Sequence, residues 1–139
     1  ATAGRFEPGD RIELTLSEPL GPSVTPPGSM TVVLTDPPGA GSETITVPGL
    51  FPDARTIGSD GYLSRNNRSA EWASSTLSVS PDRRVLALTL GPACGGNGCG
   101  DLGTVTNAPN LSALLDPTLV DVAGNAPTTA ARDLGVRLF

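Results

Sequence analysis

The chain has 139 residues, the size of one domain, and carries nine Lys and Arg against 14 acidic residues for a net charge of −5. It contains no histidine, lysine or glutamine, which excludes Ser-His-Asp and Cys-His catalysis, the P-loop, Schiff bases, Ser-Lys pairs, and Lys–Asn or Thr–Gln covalent staples. An acidic, lysine-free chain also lacks the clustered cations that a nucleic-acid backbone requires.

Period-2 patterns dominate the chain from its start. In "RIELTL" (11–16), Ile12, Leu14 and Leu16 share one face and Arg11, Glu13 and Thr15 the other. "MTVVLT" (30–35) and "ETITV" (43–47) read as the next strands. "STLSVSPDRRVLALTL" (75–90) reads as a hairpin, with Leu77 and Val79 leading into the turn Ser80-Pro81-Asp82-Arg83 and Leu86, Leu88 and Leu90 leading out. Proline at the second turn position sets the φ of a type I turn. "TLVDV" (118–122) and "LGVRLF" (134–139) supply the last predicted strands. The 17 glycines and 14 prolines are spread along the chain, a load that breaks helices and favours short strands joined by turns. The expectation is one all-β domain over 1–139, an antiparallel β-sandwich of about seven to nine strands. No apolar run reaches membrane-spanning length, so no membrane insertion by this segment is expected. The chain opens on Ala1 rather than Met and is expected to be a mature or excised piece of a longer protein.

Two stretches resist the strand reading. Residues 51–72 are polar and irregular, and 91–110 are Gly-rich. Loops this long are commonly functional, so a binding surface is expected there.

Four segments fall in a telling order: "GDRIELTLSEPL" (9–20), "TLSVSPDRRVLALTLG" (76–91), "LVDVAGNAP" (119–127) and a closing strand. The chain resembles the bacterial immunoglobulin-like domains strung along secreted, S-layer or adhesin-type surface proteins. The resemblance rests on Ser17-Glu18-Pro19 at a strand end and on Asp121-Val122-Ala123-Gly124-Asn125 before the last strand. It implies an immunoglobulin-like fold and a non-catalytic extracellular module, a spacer or adhesion domain whose partners are neighbouring domains of the same chain. A carbohydrate or cell-wall ligand held by the 51–72 and 91–110 loops is the alternative.

The candidate residues each carry a structural and a functional reading. Asp121, Gly124 and Asn125 read first as a turn, with Asp121 accepting backbone amides, Gly124 at positive φ and Asn125 in the left-handed region. The rival is a calcium site in which Glu18 or Asp116 converges with Asp121, although no Asp-x-Asp-x-Asp-Gly loop is present; no other cofactor is expected. Cys94 and Cys99, in "CGGNGC", are too few for zinc without histidine and too far apart for a redox Cys-x-x-Cys. A disulfide is expected, worth about 2 kcal/mol for so short a loop, and it implies an oxidising, extracellular compartment; two free thiols are the alternative. Trp72 reads as a core anchor, and Tyr62 with Trp72 as the rival sugar-stacking platform. Asp60, Glu71 and Asp101 are acids that a glycosidase pair would need, but scattered acids are mostly solvated surface. "NRS" and "NLS" match a glycosylation pattern to which no role is assigned.

Overall fold

The computed structural model describes residues 2, 4–39, 41–57, 61–106, 112–128 and 131–132. Eight strands appear among them: β1 (Arg11–Thr15), β2 (Met30–Asp36), β3 (Thr44–Thr46), β4 (Arg55–Thr56), β5 (Arg68–Val79), β6 (Val85–Thr89), β7 (Ser112–Ala113) and β8 (Ala131–Arg132). The one helical element among the described residues is a 3-10 turn over Cys99–Asp101. All strand pairings are antiparallel, in the order β4-β3-β2-β5-β6-β1-β8-β7. The chain is all-β, and its sheet curls so that both halves bury side chains in one core.

Alternation decides which side chains enter that core. Ile12 and Leu14 of β1, Val32 and Leu34 of β2, and Ile45 of β3 are buried between more exposed neighbours. The hairpin forms as its pattern predicts: Leu77 lies opposite Leu88 and Val79 opposite Leu86. Its turn closes through the Arg83 amide donating to Ser80 O at 2.9 Å, and Arg83 follows at φ 60°, the left-handed step that ends such loops.

The irregular reading of 51–72 needs correction. Arg55–Thr56 form β4, and β5 already begins at Arg68. The first half of β5 escapes a simple alternation count because its pattern slips. Ala70 and Trp72 point inward, and so do Ser75 and Leu77. The extra residue between them is a bulge: Val32 pairs with Trp72, but Met30 pairs with Ser75. Ser74 sits there at φ 58°. A bulge bends its strand and sharpens the twist, and here it is where β5 changes partner, from β2 before it to β6 after it. Ser75, fully buried, repairs the broken ladder by donating Oγ–H to Trp72 O at 2.7 Å and accepting the Gly91 amide at 2.9 Å.

The predicted strand 118–122 is also corrected. Those residues turn and contribute a single bridge, Leu20 to Asp121. Asp116 accepts the Thr118 amide at 2.9 Å and the Thr118 hydroxyl at 2.6 Å, and Asp116 O accepts the Leu119 amide. Such local side-chain bonds compete with a ladder. Leu119 is buried, whereas Val122 is 67% exposed. The predicted strand at 134–139 lies outside the described residues.

Candidate functional site: a polar groove and a disulfide-closed loop

The two loops singled out by composition meet. Gly61, Leu63, Ser64 and Asn66 from the first, and Gly103 and Thr104 from the second, line a groove of about 520 Å³ together with Asp36, Gly39 and Gly41 after β2. The loops are joined by a Leu63–Leu102 bridge, by the Ser64 amide on Asp101 O at 2.7 Å and by the Gly103 amide on Tyr62 O at 2.8 Å. Asn66 Nδ2 donates to Gly39 O at 3.1 Å, tying in the third segment. Asp101 faces Arg65 and Arg68, each at 3.4 Å.

A buried carboxylate holds this assembly from below. Glu43 is fully buried and accepts the Tyr62 amide at 3.0 Å and the Leu63 amide at 2.6 Å. Sequence reasoning missed it as a site-building residue, yet the signal was present: Glu43, Ile45 and Val47 share one phase of the alternation, and all three are buried. A carboxylate on the inward face of a strand has to find donors, and the two amides supply them.

The Gly-rich stretch is a cover for a strand edge. Before the bulge, β5 pairs with β2 on one side only. Along its other side runs 91–98: the Glu71 and Gly95 amides exchange bonds of 2.8 and 2.7 Å with each other's carbonyls, Asn97 Oδ1 accepts the Ser69 amide at 2.9 Å, and the Gly98 amide donates to Ser69 O at 2.8 Å. The approach is too close for side chains. A Cβ on Gly91 would fall 1.8 Å from Ala73 O, and one on Gly98 2.9 Å from Ser69 O. Glycine is therefore required by contact here, and the loop removes an open edge that would otherwise recruit other strands. The Cys94–Cys99 disulfide closes the loop.

The aromatic candidates are enclosed. Tyr62 and Trp72 are both fully buried, with Phe6 edge-on to Tyr62 at 4.9 Å and against Trp72 at 5.9 Å. Neither ring offers a face for stacking, so the sugar-platform reading of these two residues is withdrawn. Burial, and next the negative charge of Glu43, push the Tyr62 phenol up to about 12 from its ordinary 10.0. A raised folded value contributes stability that is complete below the unfolded pKa and is lost as pH rises through the folded one. Since this is the only tyrosine, phenolate absorbance should titrate near 12, and stability should decline between 10 and 12. A midpoint at the ordinary value in folded protein would contradict the buried placement.

The acids predicted as turn or metal residues are spent on hydrogen bonds. Asp121 accepts the Asn125 amide at 2.8 Å and Asn125 Nδ2 at 3.0 Å, and these bonds hold its carboxyl below the usual range. Gly124 takes φ 86° as expected, but Asn125 is not at positive φ; it serves as a double donor instead. Asp116 is likewise lowered by its Thr118 bonds. Glu18 lies close enough to Asp121 to interact with it, but no group of three or more His, Cys, Asp or Glu placed to hold a metal exists among the described residues. Asp121→Ala is expected to lower the melting temperature equally in EDTA and in calcium. A calcium-dependent rise of several degrees, abolished by that substitution, would restore the metal reading. Of the remaining acids, Glu71 is exposed on β5, Asp101 is in its ion pairs, and Asp60 lies outside the described residues.

The two resemblance motifs are brought side by side. Beyond the Leu20–Asp121 bridge, the Gly21 amide donates to Val120 O at 3.0 Å. The Arg83 guanidinium donates to Leu20 O, Gly21 O and Val24 O at 3.1, 2.7 and 2.6 Å. One arginine thus ties the hairpin turn to the chain that follows Ser17-Glu18-Pro19. Comparison with protein-family models, curated proteins and solved structures returns no match. No helix among the described residues is long and apolar enough to cross a membrane.

Proposed function

We propose that this domain is a non-catalytic extracellular module of the immunoglobulin-like sandwich type, a spacer or adhesion domain of a longer bacterial surface or secreted protein. The observation that carries this reading is the pairing of the Ser-Glu-Pro strand end with the Asp-x-Ala-Gly-Asn turn through Leu20 and Asp121, braced by Arg83. The change of β5 from one partner to another at its bulge supports a two-layer sandwich. The disulfide supports an oxidising exterior. Several acids that chemistry would need are engaged in turns or ion pairs, which favours a module that binds or spaces over one that reacts.

A second reading, a carbohydrate or cell-wall ligand, is favoured by one observation: both loops line the same groove, where the exposed Ser64, Asn66 and Thr104 carry hydroxyl-matching groups. Titration with cell-wall glycan fragments, alongside sedimentation with purified cell walls, separates the two. The spacer reading expects no saturable binding. Saturable binding that is lost in Asn66→Ala would replace it with the ligand reading.

A further inference from the structure

Asparagine followed by glycine is the asparagine context most prone to self-modification. The glycine lacks a Cβ to hinder its amide nitrogen from attacking the preceding side chain. The chain has six asparagines, and Asn97 alone is followed by glycine. That pair sits inside the loop closed by Cys94 and Cys99. Gly98 cannot be exchanged for another residue without striking the Ser69 backbone, so the contact that seats the loop also imposes the labile dipeptide. Both reacting groups are held by one residue of β5. The Asn97 carboxamide oxygen takes the Ser69 N–H, and the attacking nitrogen, that of Gly98, gives its N–H to the Ser69 carbonyl. Both bonds engage the groups that would react, and the Gly98 nitrogen must give up its bond to the Ser69 carbonyl before it can lose its proton and attack.

We propose that Asn97–Gly98 is a latent self-modification site, kept inert by docking on β5 and released when the Cys94–Cys99 disulfide is reduced. A dithiol supplies the two electrons and two protons: the S–S bond breaks, two S–H bonds form, and the dithiol becomes a disulfide. The opened loop leaves Ser69. The Gly98 nitrogen then loses its proton and bonds to Asn97 Cγ, while the Cγ–Nδ2 bond breaks and Nδ2 departs as ammonia. Water opens the resulting succinimide to aspartate or isoaspartate. Isoaspartate routes the backbone through Cγ, which adds a methylene and turns the oxygen that met the Ser69 amide into a main-chain carbonyl. The loop then no longer matches the edge it covered, and the change is one-way.

The test uses the full chain in mildly alkaline buffer, with Asn97 conversion followed by peptide mass mapping in three states: folded with the disulfide intact, folded and reduced, and unfolded in urea with the disulfide intact. Trp72 fluorescence reports whether the fold is kept. The folded, oxidised chain should convert at least about tenfold more slowly than the urea sample, since reaction requires local opening. Reduction should bring Asn97 towards the urea rate while Asn66 and Asn125 stay unchanged. Conversion of the folded, oxidised chain at the urea rate would overturn the protection, and a reduced, folded chain as slow as the oxidised one would overturn the gate. Unfolding on reduction, seen in Trp72 emission, would also defeat the proposal, because loop release would then not be the trigger.

Discussion

Replacing Trp72 with alanine is expected to lower stability by about 3–5 kcal/mol, the usual cost of deleting a buried tryptophan. The ring is fully enclosed, packs near Phe6, and stands opposite Val32 just before the β5 bulge. Its removal empties the point where β5 changes partner. Urea denaturation followed by circular dichroism measures the effect, because the substitution removes the only tryptophan. Trp72→Phe should cost much less. It keeps most of the apolar contact and removes an indole N–H that is buried without a hydrogen-bond partner, a group that is costly to leave unpaired. Both substitutions remove that N–H and differ only in the apolar contact they keep, so equal losses would overturn the packing account of the ring.

Glu43→Ala is expected to cost a similar amount by a different route. The Tyr62 and Leu63 amides would lose their acceptor inside the protein. A buried donor left unmade costs about 1–3 kcal/mol, so the pair costs about 2–6 kcal/mol. The damage should be directional. The segment that Glu43 holds is bonded to Asp101 and Gly103, so hydrogen exchange should accelerate at Tyr62, Leu63, Ser64 and Gly103 before it does in β1 or β6. Glu43→Gln retains one acceptor oxygen and should lose less. An alanine variant as stable as the parent would show that this carboxylate does not brace the groove.

These effects show where a local reading of the chain stops. The hairpin was legible because its cause is local: alternation chose the inward residues, and Pro81 with its polar neighbours made the turn. The first half of β5 was not, because a bulge adds one residue and inverts the phase. Whether Ser74 is a bulge or a break depends on the strands beside it. The turn at Asp121 was legible as a turn, since Asp121 binds a residue four positions on. Its flanks were misread as a strand because hydrophobic residues there serve different ends, Leu119 in the core and Val122 in solvent.

Sequence alone determined the all-β class, the inward faces of β1 and β6, and the exclusion of histidine- and lysine-dependent chemistry, for these follow from residue type and short-range period. It also marked the two loops that line the groove. Tertiary structure decided what the loops do there. Tyr62 and Trp72 became core because Phe6 covers them. Glu43 became a brace because two amides 19 and 20 residues away meet it. Gly91, Gly96 and Gly98 became part of an edge cover because the backbone of Ser69 and Ala73 leaves no room for a side chain there. Each of these outcomes depends on a contact between distant segments, and no property of either segment alone contains it.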